Sequence, residues 1–236
     1  MRIYGHRGSN DVAPENTMDA FKLAIESGAD GIEFDVQLSK DGEVVVIHDF
    51  TVDRTSDGMG RVCDMTLKEL EALNLSLEPE KKIQIPTLRE IFETFKENVF
   101  FNIELKYPSR YSNDICKRVV ALIEEYGVQD RTLISSFDHR LLKRVADLND
   151  QIRLGVLIYS YLLNPVDYIE NLGFKPHSIH PATEFLDETF IRHLRDHGHK
   201  VYVYTVNDKE DMLYLNKIGV DGIITDVPKQ MKAICQ

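Results

Sequence analysis

Glu33 and Asp35 stand two residues apart inside the apolar run GIEFDVQL. Residues two apart on a strand share a face, so the two carboxylates lie side by side. Paired carboxylates on a buried strand are unfavourable unless a cation neutralises them, and a hard ion such as Mg²⁺ or Ca²⁺ is the simplest partner for oxygen donors. Glu104 and Lys106 repeat the spacing farther along the chain. His6 and Arg7 place a base beside a fixed cation, and the flanking Gly5 and Gly8 allow tight dihedrals and close approach of a ligand. Asp41-Gly42, between two alternating runs, reads as a tight hairpin. Centred on those two residues, the hairpin sets Lys40 against Glu43, Leu38 against Val45 and Asp35 against His48. A histidine would then return beside the acidic pair. The same letters also fit a surface hairpin with an acidic face, and the pair Glu104–Lys106 also fits a structural ion pair.

The elements that would hold these residues alternate in type. Arg2 to Tyr4 reads as a first strand, and Asn16 or Thr17 caps a helix that Gly28 ends. Gly31 opens the hairpin strand. Residues 50–84 break the pattern with the turns around Asp57-Gly58-Met59-Gly60 and a short helix through Leu73 that Thr66 and Glu69 box. This stretch reads as a small insertion after the second strand, a lid, a specificity element or a tolerated excursion. Alternation then resumes. Strands are expected at Val99–Lys106, Thr132–Phe137, Arg153–Ile158, Ser178–His180, Lys200–Val206 and Gly222–Thr225. Helices are expected at Thr87–Asn98, Asn113–Tyr126, His139–Leu148, Val166–Leu172, Asp187–His197, Asp208–Ile218 and from Val227 onward. Eight strands, each followed by a helix, indicate a (β/α)₈ TIM barrel filling residues 1–236 as one domain. A doubly wound open sheet is the alternative, without a dinucleotide fingerprint or P-loop to support it.

In such a barrel the C-terminal strand ends form the site. Reading them off collects His6, Arg7, Glu33, Asp35, His48, Glu104, Lys106, His180 and Asp226 on one rim. Phe137, His180 and Tyr204 are candidate pocket residues there, with mouth packing the plainer role for the two aromatics.

The chain carries 28 basic and 39 acidic residues, a formal charge of −11. That balance argues against nucleic-acid binding and against an anionic membrane patch, yet a local Arg, Lys and metal still admit an anionic substrate. No apolar run is long enough to span a membrane, and the N-terminus lacks a signal-peptide pattern. Cys63, Cys116 and Cys235 are few, odd in number and far apart, which suits neither a disulfide framework nor a zinc site. A cytoplasmic protein with reduced thiols is expected, and its oligomeric state is left open.

The order and spacing of His6-Arg7-Gly8, Glu15-Asn16-Thr17, Gly28-Ala29-Asp30, Glu33-x-Asp35-Val36, Asp41-Gly42 and His48-Asp49 resemble glycerophosphodiester phosphodiesterases. Glu104-x-Lys106, Ser135-Ser136-Phe137, Thr205-Val206-Asn207 and Gly222-Ile223-Ile224-Thr225-Asp226 extend the likeness over nearly the whole chain. The resemblance implies a (β/α)₈ barrel that hydrolyses glycerophosphodiesters to sn-glycerol 3-phosphate and an alcohol with one divalent metal. It also implies His6 and His48 as the catalytic acid/base pair, Glu33, Asp35 and Glu104 as metal ligands, and Arg7 and Lys106 as phosphate contacts. One departure is Tyr204, where the family often has tryptophan.

These residue types suit phosphodiester cleavage. A metal and two cations neutralise the non-bridging oxygens, and two histidines deprotonate the nucleophile and protonate the leaving alkoxide. His6 is expected as the base and His48 as the acid, with water or a neighbouring glycerol hydroxyl as nucleophile. Mn²⁺ also suits the donors. The competing readings are a phospholipase-type relative acting on lipids, a sphingomyelinase D-like relative, and a non-catalytic binding or regulatory barrel.

Overall fold

The computed structural model describes residues 1–76, 78, 80–95, 99–106, 114–185 and 188–235. Its strands are Arg2–His6 (β1), Gly31–Leu38 (β2), Val44–Val46 (β3), Phe100–Leu105 (β4), Thr132–Ser136 (β5), Arg153–Ile158 (β6), Ser178–Pro181 (β7), Lys200–Val203 (β8) and Gly222–Thr225 (β9). All pairings are parallel except β2–β3, and β1 pairs with both β2 and β9. The sheet therefore closes on itself as an eight-stranded parallel barrel, with β3 outside the ring. The helices are Met18–Glu26 (α1), Leu67–Ala72 (α2), Leu88–Thr94 (α3), Ile115–Tyr126 (α4), His139–Leu148 (α5), Pro165–Glu170 (α6), Glu188–Asp196 (α7), Lys209–Ile218 (α8) and Pro228–Cys235 (α9). The architecture is the (β/α)₈ TIM barrel that the alternation indicated.

Strand alternation sorts the side chains. On β2, Ile32, Phe34, Val36 and Leu38 join the large outer core with Phe21 and Ala24 of α1 and Leu88, Ile91 and Phe92 of α3. Burial of a side chain such as Phe34 contributes roughly 1.5–3 kcal/mol. Glu33, Asp35 and Gln37 occupy the opposite face, toward the barrel axis. Tyr4, Leu133, Tyr202 and Ile224 form a separate interior cluster. Each lies two residues before a residue at or just past the C-terminal end of its strand, namely His6, Ser135, Tyr204 and Asp226, so this cluster is the packed layer directly beneath the mouth.

Local signals place the ends of the elements. The Thr17 hydroxyl accepts the Ala20 N–H, and Thr66–Glu69 and Thr87–Glu90 both close capping boxes. Several expected spans come out shorter. The helix expected to Asn98 ends at Thr94, and residues 96–98 lie outside the described residues. The helices expected from Asn113 and Asp187 begin at Ile115 and Glu188, and residues 113 and 187 are likewise outside. β8, the seventh strand of the ring, stops at Val203 rather than Val206.

The hairpin register also differs. Val36 faces Val46, Gln37 faces Val45 and Leu38 faces Val44, and Ser39 pairs with Glu43 across Lys40-Asp41-Gly42. The loop thus has three residues, with Gly42 at φ +84°, and the pairing is shifted by one from a two-residue turn. Asp35 consequently stands opposite Ile47, whose N–H donates to the Asp35 carbonyl at 3.0 Å, and not opposite His48. Val45 and Ile47 face a third apolar cluster with Val52, Val62, Leu70, Leu75, Ile83 and Ile85. The excursion through residues 50–85 is thereby packed on the outer face of the hairpin.

Candidate active site

His6 ends β1 in register with Glu33 of β2, and Asp35 is in register with Glu104 of β4. Three adjacent strands therefore deliver the first histidine and three acids to one edge of the mouth. Arg7 follows with φ +54°, and its backbone N–H donates to Glu33 Oε2 at 3.0 Å. Gly8 at φ +91° then passes against α1, where any Cβ would lie 2.6 Å from the Ala20 carbonyl carbon. Asn16, also at positive φ, donates its amide to Asp35 Oδ2 at 2.9 Å.

Glu33, Asp35 and Glu104 are all buried, and each offers an oxygen within 4.8 Å of the others. Burial and the neighbouring Asp35 and Glu104 charges raise the Glu33 carboxyl well above the usual carboxylate range. Burial and Asp35 push Glu104 up to about 7, against the opposing pull of Lys106. Burial also acts to raise Asp35, but Lys106, Arg7 and His48 outweigh it and hold that carboxyl low. The Lys106 ammonium lies 2.5 Å from Glu104 Oε1 and 3.4 Å from Asp35 Oδ1. Arg7 sets Nη1 2.9 Å from Glu15 Oε1 and Nε 3.4 Å from Asp35 Oδ2. Both cations keep raised pKa values because these acids outweigh their burial.

Each histidine has an aspartate on Nδ1. His6 Nδ1 lies 2.6 Å from Asp226 Oδ1, and Asp226 also accepts the amides of Asn10 at 2.6 Å and Asn207 at 2.5 Å. Burial opposes ionisation of Asp226, but these hydrogen bonds hold it down at about 2. His48 Nδ1 lies 2.6 Å from Asp49 Oδ1, and Asp49 is gripped in turn by the Arg54 guanidinium at 2.7 and 3.1 Å. Burial lowers the His48 pKa, with Asp35 partly offsetting it. The chain reaches His48 because Gln37 breaks the ladder. Its buried amide donates to the carbonyls of Ile47, His48 and Asp49 at 3.0, 3.1 and 2.6 Å. With Nδ1 engaged on both rings, Nε2 is the nitrogen that can serve a substrate.

A pocket of about 450 Å³ opens beside His48, lined also by Asp49, Phe50, Glu104, Lys106 and Phe137. Phe137 is half-exposed, stands edge-on to Tyr204 at 6.0 Å, and has the Lys106 ammonium 5.6 Å from its ring.

The glycerophosphoryl diester phosphodiesterase family model matches residues 6–230. A glycerophosphodiester phosphodiesterase of Caldanaerobacter subterraneus subsp. tengcongensis is 40% identical, over 97% of this chain and 95% of its own. The chain belongs to the glycerophosphoryl diester phosphodiesterase family. Among solved structures, an Oleispira antarctica phosphodiesterase in complex with sn-glycerol-3-phosphate superposes with TM-score 0.93 at 29% identity, covering 100% of this chain and 96% of that one. A Thermotoga maritima glycerophosphodiester phosphodiesterase gives TM-score 0.79 at 32% identity, covering 98% and 97%.

Within this family's barrel, the acidic edge passes a simple test for a metal. Among the described residues, Asp35 Oδ1 is fully buried and accepts no hydrogen bond, and the three acids face the two cations Arg7 and Lys106. A divalent ion would remove that deficit, and an all-oxygen donor set suits a hard one.

One site reading from the sequence changes. His180 has no exposed surface. Its Nε2 pairs with Ser178 Oγ at 2.8 Å, its ring lies on Tyr202, and burial presses its pKa to about 3. It belongs to the packed interior and not to the pocket wall, because β7 is set so that His180 sits level with Leu157, inside the ring. Asn10, Gln37 and Arg54 had not been singled out. Gln37 was legible as the next inward position after Asp35, whereas Asn10 and Arg54 reach the site only through loop geometry.

Proposed function

We propose that this chain hydrolyses glycerophosphodiesters to sn-glycerol 3-phosphate and an alcohol. The observation that carries the reading is the pair of His–Asp couples, one at the buried carboxylate edge and one in the Lys106-lined pocket. Glu33, Asp35 and Glu104 are the residues that would hold one divalent ion, Mg²⁺, Ca²⁺ or Mn²⁺. When bound, that ion supplies Lewis acidity at a non-bridging phosphate oxygen.

Arg7 and Lys106 orient and neutralise the phosphodiester from either side of Asp35. His6 Nε2 takes a proton from the nucleophile, water or the neighbouring glycerol hydroxyl, and in the latter case water then opens the cyclic phosphate to glycerol 3-phosphate. The Asp226 charge, held by His6 and the neutral amides of Asn10 and Asn207, stabilises the imidazolium as it forms. His48 Nε2 gives a proton to the leaving alkoxide. Its Asp49 partner is already compensated by Arg54, and its lowered pKa makes its protonated form the readier donor. Phe137 walls the pocket with Tyr204 edge-on beside it, and it contacts the carbon skeleton of the substrate.

The reading extends to one barrel domain over residues 1–236 with residues 50–84 as its insertion. It takes a small-molecule substrate and neither nucleic acid nor stable membrane binding. The net charge of −11 supports that, and no helix among the described residues is long and apolar enough to cross a membrane. The unpaired thiols Cys63 and Cys116 support a cytoplasmic setting.

The test is release of glycerol 3-phosphate from glycerophosphocholine by purified protein, first with EDTA and then with each divalent ion restored. Metal-restored release is expected. Folded protein that releases nothing with any of the ions would sink the reading.

A further inference from the structure

The excursion after β3 is anchored at both ends of its first turn. Val52 is fully buried in the cluster outside the hairpin, its N–H donates to the Gly60 carbonyl at 2.9 Å, and the Ser56 N–H returns to the Val52 carbonyl at 3.0 Å. Asp53 accepts the Gly60 N–H at 2.7 Å. This fixed turn carries Arg54 back over the barrel mouth.

Arg54 there meets two acids at once. Nε and Nη2 donate to both oxygens of Asp49, at 2.7 and 3.1 Å. Nη1 and Nη2 donate to both oxygens of Glu15, at 2.8 and 2.7 Å. Asp49 is the carboxylate on His48, and Glu15 is the carboxylate on Arg7. One guanidinium therefore spans two carboxylates, each bonded to a different reactive side chain. The planar fork suits this, since its donors lie in one rigid plane and both acids are met in bidentate fashion. Asp49 and Glu15 are held well ionised as a result, each against the effect of its own burial.

We infer that Arg54 is a positioning residue for the phosphodiesterase reaction. It fixes the ring of His48 through Asp49, with Glu15 as the second anchor of its guanidinium, and so gives the insertion its function in this chain. The inference rests on the proposed role of His48. Arg54 itself is about half exposed and reaches the reacting atoms only through those partners. Without it, Asp49 would turn toward solvent and His48 would sample rotations in which Nε2 misses the leaving oxygen. Misplacement of that kind costs up to about 10²-fold in rate.

The experiment compares Arg54→Met, Arg54→Lys, Asp49→Asn and the double variant Arg54→Met/Asp49→Asn with the unaltered chain, all metal-loaded. Two substrates are used: glycerophosphocholine, and glycerol 3-phosphate esterified with p-nitrophenol, whose leaving group departs without needing a proton. For Arg54→Met, kcat on glycerophosphocholine is expected to fall about 10- to 100-fold with KM little changed. Arg54→Lys should lie between, because an ammonium cannot serve both acids bidentately. The loss should be much smaller on the nitrophenyl ester, and Arg54→Met should add little in the Asp49→Asn background.

Equal losses on both esters that add to those of Asp49→Asn would mark a merely structural role and overturn the inference. So would an Arg54→Met enzyme equal to the unaltered one. Because Arg54 is half exposed, the variants should keep the parent circular dichroism. Should Arg54→Met fail to fold, Arg54→Lys and Asp49→Asn decide by the same leaving-group comparison. An unaltered chain inactive on both esters overturns the parent reading, and this inference with it. An active chain indifferent to Arg54 overturns this inference alone.

Discussion

His6 and His48 present the same local geometry, an aspartate 2.6 Å from Nδ1, yet the two couples are built in opposite ways. Asp226 comes from the far end of the chain, is brought to His6 by barrel closure, and is otherwise held by neutral amides. Asp49 is the next residue after His48 and is held by a cation from the adjoining excursion. The first couple keeps its negative charge undivided beside the ring, while the second shares its charge with a guanidinium. A proton acceptor is helped by the first arrangement and a proton donor by the second. The barrel thus supplies one half of the proposed acid–base pair and the hairpin with its insertion supplies the other.

That contrast can be broken most directly at the rings. His6→Ala and His48→Ala should each lower kcat on glycerophosphocholine by about 10²- to 10⁴-fold while far-ultraviolet circular dichroism is retained. Near-full activity in either variant removes that ring from the chemistry. One step out, Asp226→Asn should cost more than Asp49→Asn, since the Asp49 charge is already offset by Arg54 and the Asp226 charge is held by neutral amides. The reverse order, measured as kcat/KM at one pH, would reject the charge asymmetry.

The carboxylate edge between the couples offers a stability readout. A divalent ion at 100 times its Kd should stabilise the chain by about 2.7 kcal/mol. That is a rise of about 5–10 °C in melting temperature for a protein of this size. Glu104→Gln should abolish the rise, seen by thermal melting with EDTA and with each ion added. A shift that survives Glu104→Gln would put the ion elsewhere.

The interior beneath the mouth responds to acid. The folded value of His180, about 3, lies below the roughly 6.5 of an unfolded histidine. The unfolded chain therefore takes up the proton first as pH falls. Stability is complete above about pH 6.5 and declines toward about pH 3, by up to ~1.4 kcal/mol per pH unit for this group. Glu104 works in the opposite sense, favouring the metal-free fold below about 4.5 and losing that contribution as pH rises through about 7. The difference between the unaltered chain and His180→Gln, followed by urea unfolding from pH 7.5 to 4, isolates the histidine because Glu104 is common to both. An unchanged pH slope would contradict the burial argument.

The smallest effect is expected at Tyr204→Phe. Loss of the hydroxyl hydrogen bond to the Ile158 carbonyl should cost about 0.5–1.5 kcal/mol of stability with kcat unchanged.

The sequence carried much of this architecture because strand and helix periodicities are local. Glu33 and Asp35 on one face of β2, Glu104 at a later strand end, and the capping residues Thr17, Thr66 and Thr87 all follow from spacings within a few residues. Strand order and the rule that sites lie at C-terminal ends then sufficed to collect His6, the three acids and Asp226. Local pattern failed where a single residue changes the geometry. One added loop residue at Lys40-Asp41-Gly42 shifted the hairpin register, and the three carbonyls held by Gln37 returned His48 toward the site by another route.

Residue types and periods by themselves determined the barrel and the acidic edge, and it was the family resemblance that pointed to the two histidines. Tertiary structure alone decided what stands behind each of them. Closure of the ring set Asp226 on His6, the depth of β7 took His180 out of the mouth, and the fold of the excursion set Arg54 across Asp49 and Glu15. Those contacts join loops whose meeting depends on how the whole chain packs, and no spacing within a single element encodes them.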